Sequence, residues 1–233
     1  MERQTLYECS VSGWIDARQV GQLVERVAGL TGAAAGLGMQ MFTGMDKSKI
    51  LLKNDVSANA TINGPTTNGA SDGAGIFMQH ELCAMPRASP PPRGGSLRLR
   101  SECQTRTPTL SRRWTAAFWA APQPSRKGQF CKVRGVYQAD IIQGNLLEYL
   151  AVLDYVLAFE FVRHGFRFHF GNLSILISRL YKFQSMHDFS SLIPVDGNDP
   201  ETWIVDIASV PVPSESVQPV SDEISAFTKD LRG

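Results

Sequence analysis

Between Tyr155 and Phe170 a large apolar residue stands at almost every second position: Tyr155, Leu157, Phe159 and Phe161, and then Phe166, Phe168 and Phe170. Side chains two residues apart share one face of an extended chain, and no helical period accommodates such a run. The stretch therefore commits the chain to a β-sheet. His164-Gly165 predicts a tight turn between two strands, and Gly171-Asn172 predicts a second hairpin. Leu173 to Phe183 continues the meander, and Trp203 to Val212 forms another strand after an acidic loop from Asp188 to Glu201.

The remaining signals place helices beside this sheet. Near the N-terminus, Tyr7, Cys9 and Val11 alternate with polar neighbours as in a half-buried strand. Asp16 is a helix cap, and Val20, Leu23, Val24, Val27 and Leu30 then recur on one helical face until Gly29 and Gly32 end the helix. A strand is predicted from Phe130, with Cys131, Val133 and Tyr137 on one side. Asn145 with Glu148 makes a capping box ahead of Leu146, Leu147, Leu150 and Leu153. Ser221 caps a last helix that buries Ile224, Phe227 and Leu231.

The middle of the chain lacks such patterning. Residues 54–75 are almost all small or polar and bury too little apolar area to offset the ~1–2 kcal/mol per residue that ordering costs. Ile50-Leu51-Leu52, Ser96 to Arg100 and Trp114 to Trp119 have the composition of short strands. The expected architecture is one domain over residues 1–233, α+β and dominated by β-structure. It is an antiparallel, barrel-like sheet with flanking helices and a long flexible middle insertion, 54–128, that is largely loop. The N-terminus carries no signal sequence and no apolar run reaches the ~20 residues a spanning helix needs, so the chain reads as soluble and intracellular. Four cysteines without a C-x-x-C pair exclude a disulfide scaffold and a zinc module.

Residues 144–231 resemble the family of subunit 18 of Mediator, the coactivator that bridges transcription factors and RNA polymerase II. The resemblance rests on Asn145 to Leu150, on Leu153-Asp154-Tyr155, and on the run Phe159-Glu160-Phe161-Val162-Arg163-His164-Gly165-Phe166-Arg167-Phe168. It extends through Leu173 to Leu180, Trp203 to Ile207, and Ser221 to Ile224 with Phe227, and more faintly through Leu6 to Leu30. Asp154 stands where the family carries glycine. What the resemblance implies is a β-barrel that pairs with a sibling barrel, Mediator subunit 20, and is tethered by a helix of subunit 8. It further implies the other Head-module subunits and the polymerase machinery as partners, a place in the nucleus, and no enzymatic activity, cofactor or membrane contact.

Two residue sets are then candidates for partner contact. Paired barrels need exposed apolar surface, which nominates Phe159, Phe161, Phe166, Phe168 and Phe170, although the same rings also suit a core. Residues 87–113 carry seven arginines against Glu102, a balance of +6, whereas residues 184–233 carry nine acids against two bases, a balance of −7. Arg98, Arg100, Arg112 and Arg113 are thus candidates for contact with a polyanion or an acidic partner. A solvated loop offset by the acidic C-terminal half has the same composition, and direct contact with nucleic acid is not the favoured use. The enzymatic alternative is a tunnel-type, metal-dependent triphosphate hydrolase, which lines its barrel with Glu-x-Glu-x-Lys. Here only Glu160, capable of facing inward, and Asp206 are on offer. His80-x-x-Cys83 is a single potential metal pair, and Gly36-Leu37-Gly38 and Asp46-Lys47-Ser48 lack the remainder of any nucleotide motif.

Overall fold

The computed structural model describes residues 5–33, 75–87, 95–102, 113–124, 129–141, 144–195 and 202–232. Helix α1, Ala17–Thr31, starts where the Asp16 carboxylate accepts the Arg18 amide at 2.8 Å, and it ends on Gly32 at φ +68°. Helix α2, Leu146–Val152, is capped by Asn145, whose side chain accepts the amides of Leu147 and Glu148. Helix α3, Val217–Arg232, corrects the sequence reading: it begins a full turn before Ser221, which is buried inside it. Pro219 explains the early start, because its fixed φ and missing N–H suit a first helical turn.

Among the described residues nine strands make one antiparallel sheet: β1 Leu6–Asp16, β2 Gly75–Pro86, β3 Ser96–Glu102, β4 Trp114–Trp119, β5 Lys132–Ile141, β6 Tyr155–Phe170, β7 Leu173–Phe183, β8 Leu192–Pro194 and β9 Thr202–Ser209. The order is β6-β2-β3-β4-β5-β1-β9-β7-β8, and β6 also pairs with β7, so eight strands close into a barrel with β8 appended to β7. Strands β3 and β4 occupy the short stretches expected of them. Strand β2 has no counterpart in the sequence reading, so the middle stretch supplies three barrel strands rather than loop alone. The Ile50–Leu52 strand and the segments around Gly36 and Asp46 lie outside the described residues.

The predicted turn at His164-Gly165 is absent. Strand β6 runs straight through it, with Gly165 opposite Ser178 and Phe166 opposite Ile177. Glycine is needed there for closeness rather than for bending: a Cβ on Gly165 would run into the Ile177 carbonyl oxygen and come within 2.7 Å of the Ser178 Cα. The aromatic pattern changes phase because the apolar face switches: Phe161 points inward and Phe166 and Phe168 point outward under the helices, with pairing to β7 unbroken between them, and the bulge lies upstream. Leu157 faces Ala84 and Phe159 faces Cys83, which leaves Ala158 unopposed and moves Leu157 and Phe159 to opposite faces of the strand.

The two faces of the barrel differ in chemistry. An eight-stranded barrel is too narrow to take a helix inside, so the helices pack outside. Helices α1 and α3 cover Cys9, Val133, Phe166, Phe168, Ile175, Ile177 and Ile207 in one continuous core with Val20, Val24, Ile224 and Phe227. A second cluster joins α2, through Leu146 and Leu150, to Leu82, Ala84, Leu99 and Trp114. Each fully buried side chain of this kind contributes ~1.5–3 kcal/mol. The inner face is ionic.

Candidate functional site

Pairing registers place the inner wall of β6, β2, β3 and β4 in two adjacent rows. One row is Phe159–Cys83–Arg98–Ala117 and the other is Phe161–Glu81–Arg100–Thr115. The rings of Phe159 and Phe161 stack with centroids 6.0 Å apart, and Phe159 remains 56% exposed. Across the wall, the guanidinium carbons of Arg98 and Arg100 lie 5.2 and 4.2 Å from the centroid of Trp119. A pair of aromatic rings therefore sits two strands away from a pair of stacked cations, ~10 Å at 4.7–4.9 Å per strand.

Glu81 anchors the wall with 1% of its side chain exposed. Its Oε1 is 2.7 Å from Arg163 Nε, and Arg163 also donates from Nη1 to Asp206 Oδ2 at 2.6 Å. Asp206 accepts in addition from Ser12 Oγ at 2.6 Å. Burial works against the Arg163 charge, but the carboxylates of Glu81 and Asp206 outweigh it and hold that guanidinium above its usual range. The other two arginines are less well served: Arg100 Nε is 3.8 Å and Arg98 Nη1 4.0 Å from Glu81 Oε2, too far for hydrogen bonds. Burial pulls Arg100 below its usual range in spite of Glu81 and Glu8. Burial also pushes the Glu8 carboxyl up, although Arg100 and Arg134 oppose the shift.

A separate polar cluster sits on the outer face. Glu160, which sequence made capable of facing inward, points out on the face of its partner Leu82. Its Oε2 is 3.2 Å from His80 Nε2 and 2.8 Å from His187 Nδ1, while its Oε1 accepts the His187 amide at 2.6 Å. The ring of His80 is fully buried among Trp114, Phe183 and Phe189, with each centroid 5.3 Å away. Cys83 belongs to the inner wall, so His80 and Cys83 share no metal. Among the described residues no three acidic, histidine or cysteine side chains form a group that could hold one.

The predicted contact residues thus separate. Phe159 and Phe161 come together with Arg98 and Arg100 on one wall, a juxtaposition that neither stretch reveals alone. Phe166 and Phe168 are buried under the helices, and Phe170 packs on Phe227 of α3 at 5.1 Å between centroids. Arg113 is exposed at the start of β4, and Arg112 lies outside the described residues. Glu81, Arg163 and Trp119 escaped the sequence reading. The signal for Glu81 was the alternation of Phe77, Gln79, Glu81 and Cys83, which resembles no ordinary strand because neither face of β2 is exposed from Phe77 to Ala84. Exposed apolar groups add to the picture: Trp14 is 80% exposed, and Tyr149 and Val152 face outward from α2. Among the described residues no helix is long and apolar enough to cross a membrane.

Three comparisons bear on this architecture. A family model described as Med18 protein matches residues 7–226. The chain is similar in fold to a chain in the structure of the Schizosaccharomyces pombe Mediator head module, with 14% identity and a TM-score of 0.66 over 97% of this chain and 94% of that one. It is also similar to the PH1819 protein of Pyrococcus horikoshii, with 8% identity and a TM-score of 0.53 over 96% of this chain and 89% of that one. A search of curated proteins by sequence finds no match.

Proposed function

Because the chain belongs to the Med18 family of Mediator subunits, we propose that it is a non-enzymatic scaffold of the Head module, acting in the nucleus through protein contacts that help regulate RNA polymerase II transcription. The observation that carries this reading is the family match across nearly the whole barrel. Its proposed partners are Mediator subunit 20, held as a heterodimer, a helix of subunit 8, other Head-module subunits and the polymerase machinery. The surface supports such a role. Trp14, Val152 and Phe159 are exposed apolar groups of the kind that partner interfaces cover.

The inner wall gives little support to hydrolysis. Glu81 and Asp206 are both bound to Arg163, and Glu160 lies on the other side of the sheet between two histidines. Neither acid that sequence offers for a metal, Glu160 or Asp206, is therefore free to hold one on the inner wall. Multi-angle light scattering on the chain co-expressed with subunit 20 and the C-terminal segment of subunit 8 tests the scaffold. A stable 1:1:1 complex is expected. A monodisperse monomer that ignores both partners overturns the reading.

A further inference from the structure

The inner wall leaves hydrogen-bonding capacity unused. Arg98 Nε and Arg100 Nε are buried without an acceptor, and Glu81 Oε2 is buried without a donor. Glu81 is committed to Arg163 through its other oxygen, so two guanidiniums lean on a single carboxylate oxygen at 3.8–4.0 Å. Four guanidiniums, Arg98, Arg100, Arg134 and Arg163, face three carboxylates, Glu8, Glu81 and Asp206, which leaves this patch one positive charge in excess. Both arginine side chains remain about a third exposed, at 30% and 35%. Each guanidinium lies over the Trp119 ring, a cation–π contact that uses none of its N–H donors and so keeps them for a carboxylate.

We infer that the wall formed by Phe159, Phe161, Arg98, Arg100 and Trp119 receives an acidic segment of a protein partner that also carries an aromatic or leucine side chain. This rests on the scaffold reading and specifies the chemistry of one partner. Charge complementarity selects the acid, and the exposed Phe159 ring selects its apolar neighbour. The ~10 Å between the two subsites corresponds to about three residues of extended chain at ~3.3 Å each. A nucleic-acid backbone fits less well, because it calls for an unbroken row of cations, whereas here arginines alternate with Glu81 and Asp206.

The test is fluorescence anisotropy of the full chain with a fluorescein-labelled probe peptide, Ser-Gly-Phe-Gly-Ser-Glu-Glu-Gly-Ser-Gly, at fixed salt. Saturable binding is expected, weakened about ten-fold or more by Arg98→Gln with Arg100→Gln. Phe159→Ser, at an exposed position that the fold does not need, should weaken it several-fold. Glu81→Gln should tighten it by freeing both arginines, a gain that a merely structural role for Glu81 does not produce. Arg113→Gln should leave it unchanged. Absence of saturable binding at millimolar peptide overturns the inference, as does binding that survives Phe159→Ser and the arginine pair but falls with Arg113→Gln. Tighter binding of tripolyphosphate or single-stranded DNA to the same arginines, indifferent to Phe159→Ser, overturns the assignment to a peptide. If the ternary complex forms in light scattering while the probe fails to bind, the scaffold stands and this inference alone falls.

Discussion

Two single residues show how backbone geometry outranks local composition. Gly165 looks like a turn glycine but is an extended residue at the closest approach of β6 to β7, with the Ile177 carbonyl where a side chain would go. Asp154 looks like an ordinary acid but holds φ +59°, the left-handed conformation in which glycine is free of strain. Its carboxylate is 3.8 Å from Arg87 Nε, an exposed contact of small worth. The two positions should respond oppositely to exchange. Gly165→Ala should destabilise the fold by about 3 kcal/mol, because backbone rather than a movable side chain opposes the new methyl. Asp154→Gly should be neutral or stabilising by up to ~1 kcal/mol, whereas Asp154→Val should cost ~1–2 kcal/mol. Urea denaturation midpoints measure all three.

At the scale of elements, the turn that follows β7 is pinned by charge. Residue His187 has φ +62° and is held there by Glu160, which binds its amide and its ring. Burial pushes the Glu160 carboxyl up, yet its hydrogen bonds with His80 and from the His187 amide outweigh this and leave it below its ordinary 4.5. A depressed carboxylate stabilises the fold above its unfolded value and loses that contribution as pH falls through the folded one. Glu160→Gln should therefore be less stable than the native chain by about 1–2 kcal/mol at pH 7, with the gap closing below about pH 4.5. A gap that stays constant from pH 7 to pH 3 removes the ionic role. How much of each element was legible follows the same physics. Helices α1 and α2 were readable because one side meets core and the other meets water, and strand β7 because Leu173, Ile175 and Ile177 recur at every second position. Strand β2 was not, since its outer side packs under α2 and its inner side lines an ionic interior. Arg98 and Arg100 likewise read as a solvent strip, because a polar barrel interior and a solvated surface look alike in composition. Sequence could nominate Phe159, Phe161, Arg98 and Arg100, but only strand pairing across β2 shows that they are neighbours.

For the whole molecule, closure depends on the two ends of the chain. Strand β1 lies between β5 and β9, and α3 returns to cover β1 with Ile224 and Phe227. Deleting residues 217–233 should expose Cys9, Val20 and Val24 and remove the burial of Val220, Ile224 and Phe227. Three such side chains are worth ~5–9 kcal/mol, comparable with the ~5–15 kcal/mol that keeps a whole domain folded. The truncated chain should therefore lose its cooperative thermal transition and aggregate, as differential scanning calorimetry and size-exclusion chromatography would show. A truncated chain that melts cooperatively would mean that the barrel holds without its last helix.

The pairing of β1 with β9 also governs when this protein can exist at all. Ser12 meets Asp206 across a sequence separation of 194 residues, so the barrel cannot close before β9 has been made. At ~5–20 residues per second the first strand waits on the order of tens of seconds for its neighbour, with its apolar side uncovered. A nascent chain of this design can offer a partner its opening helix or its central hairpins, but not a finished barrel. Any partner that grips the closed wall must therefore meet the subunit after β9 has emerged from the ribosome, and assembly of the two is ordered in time by topology alone.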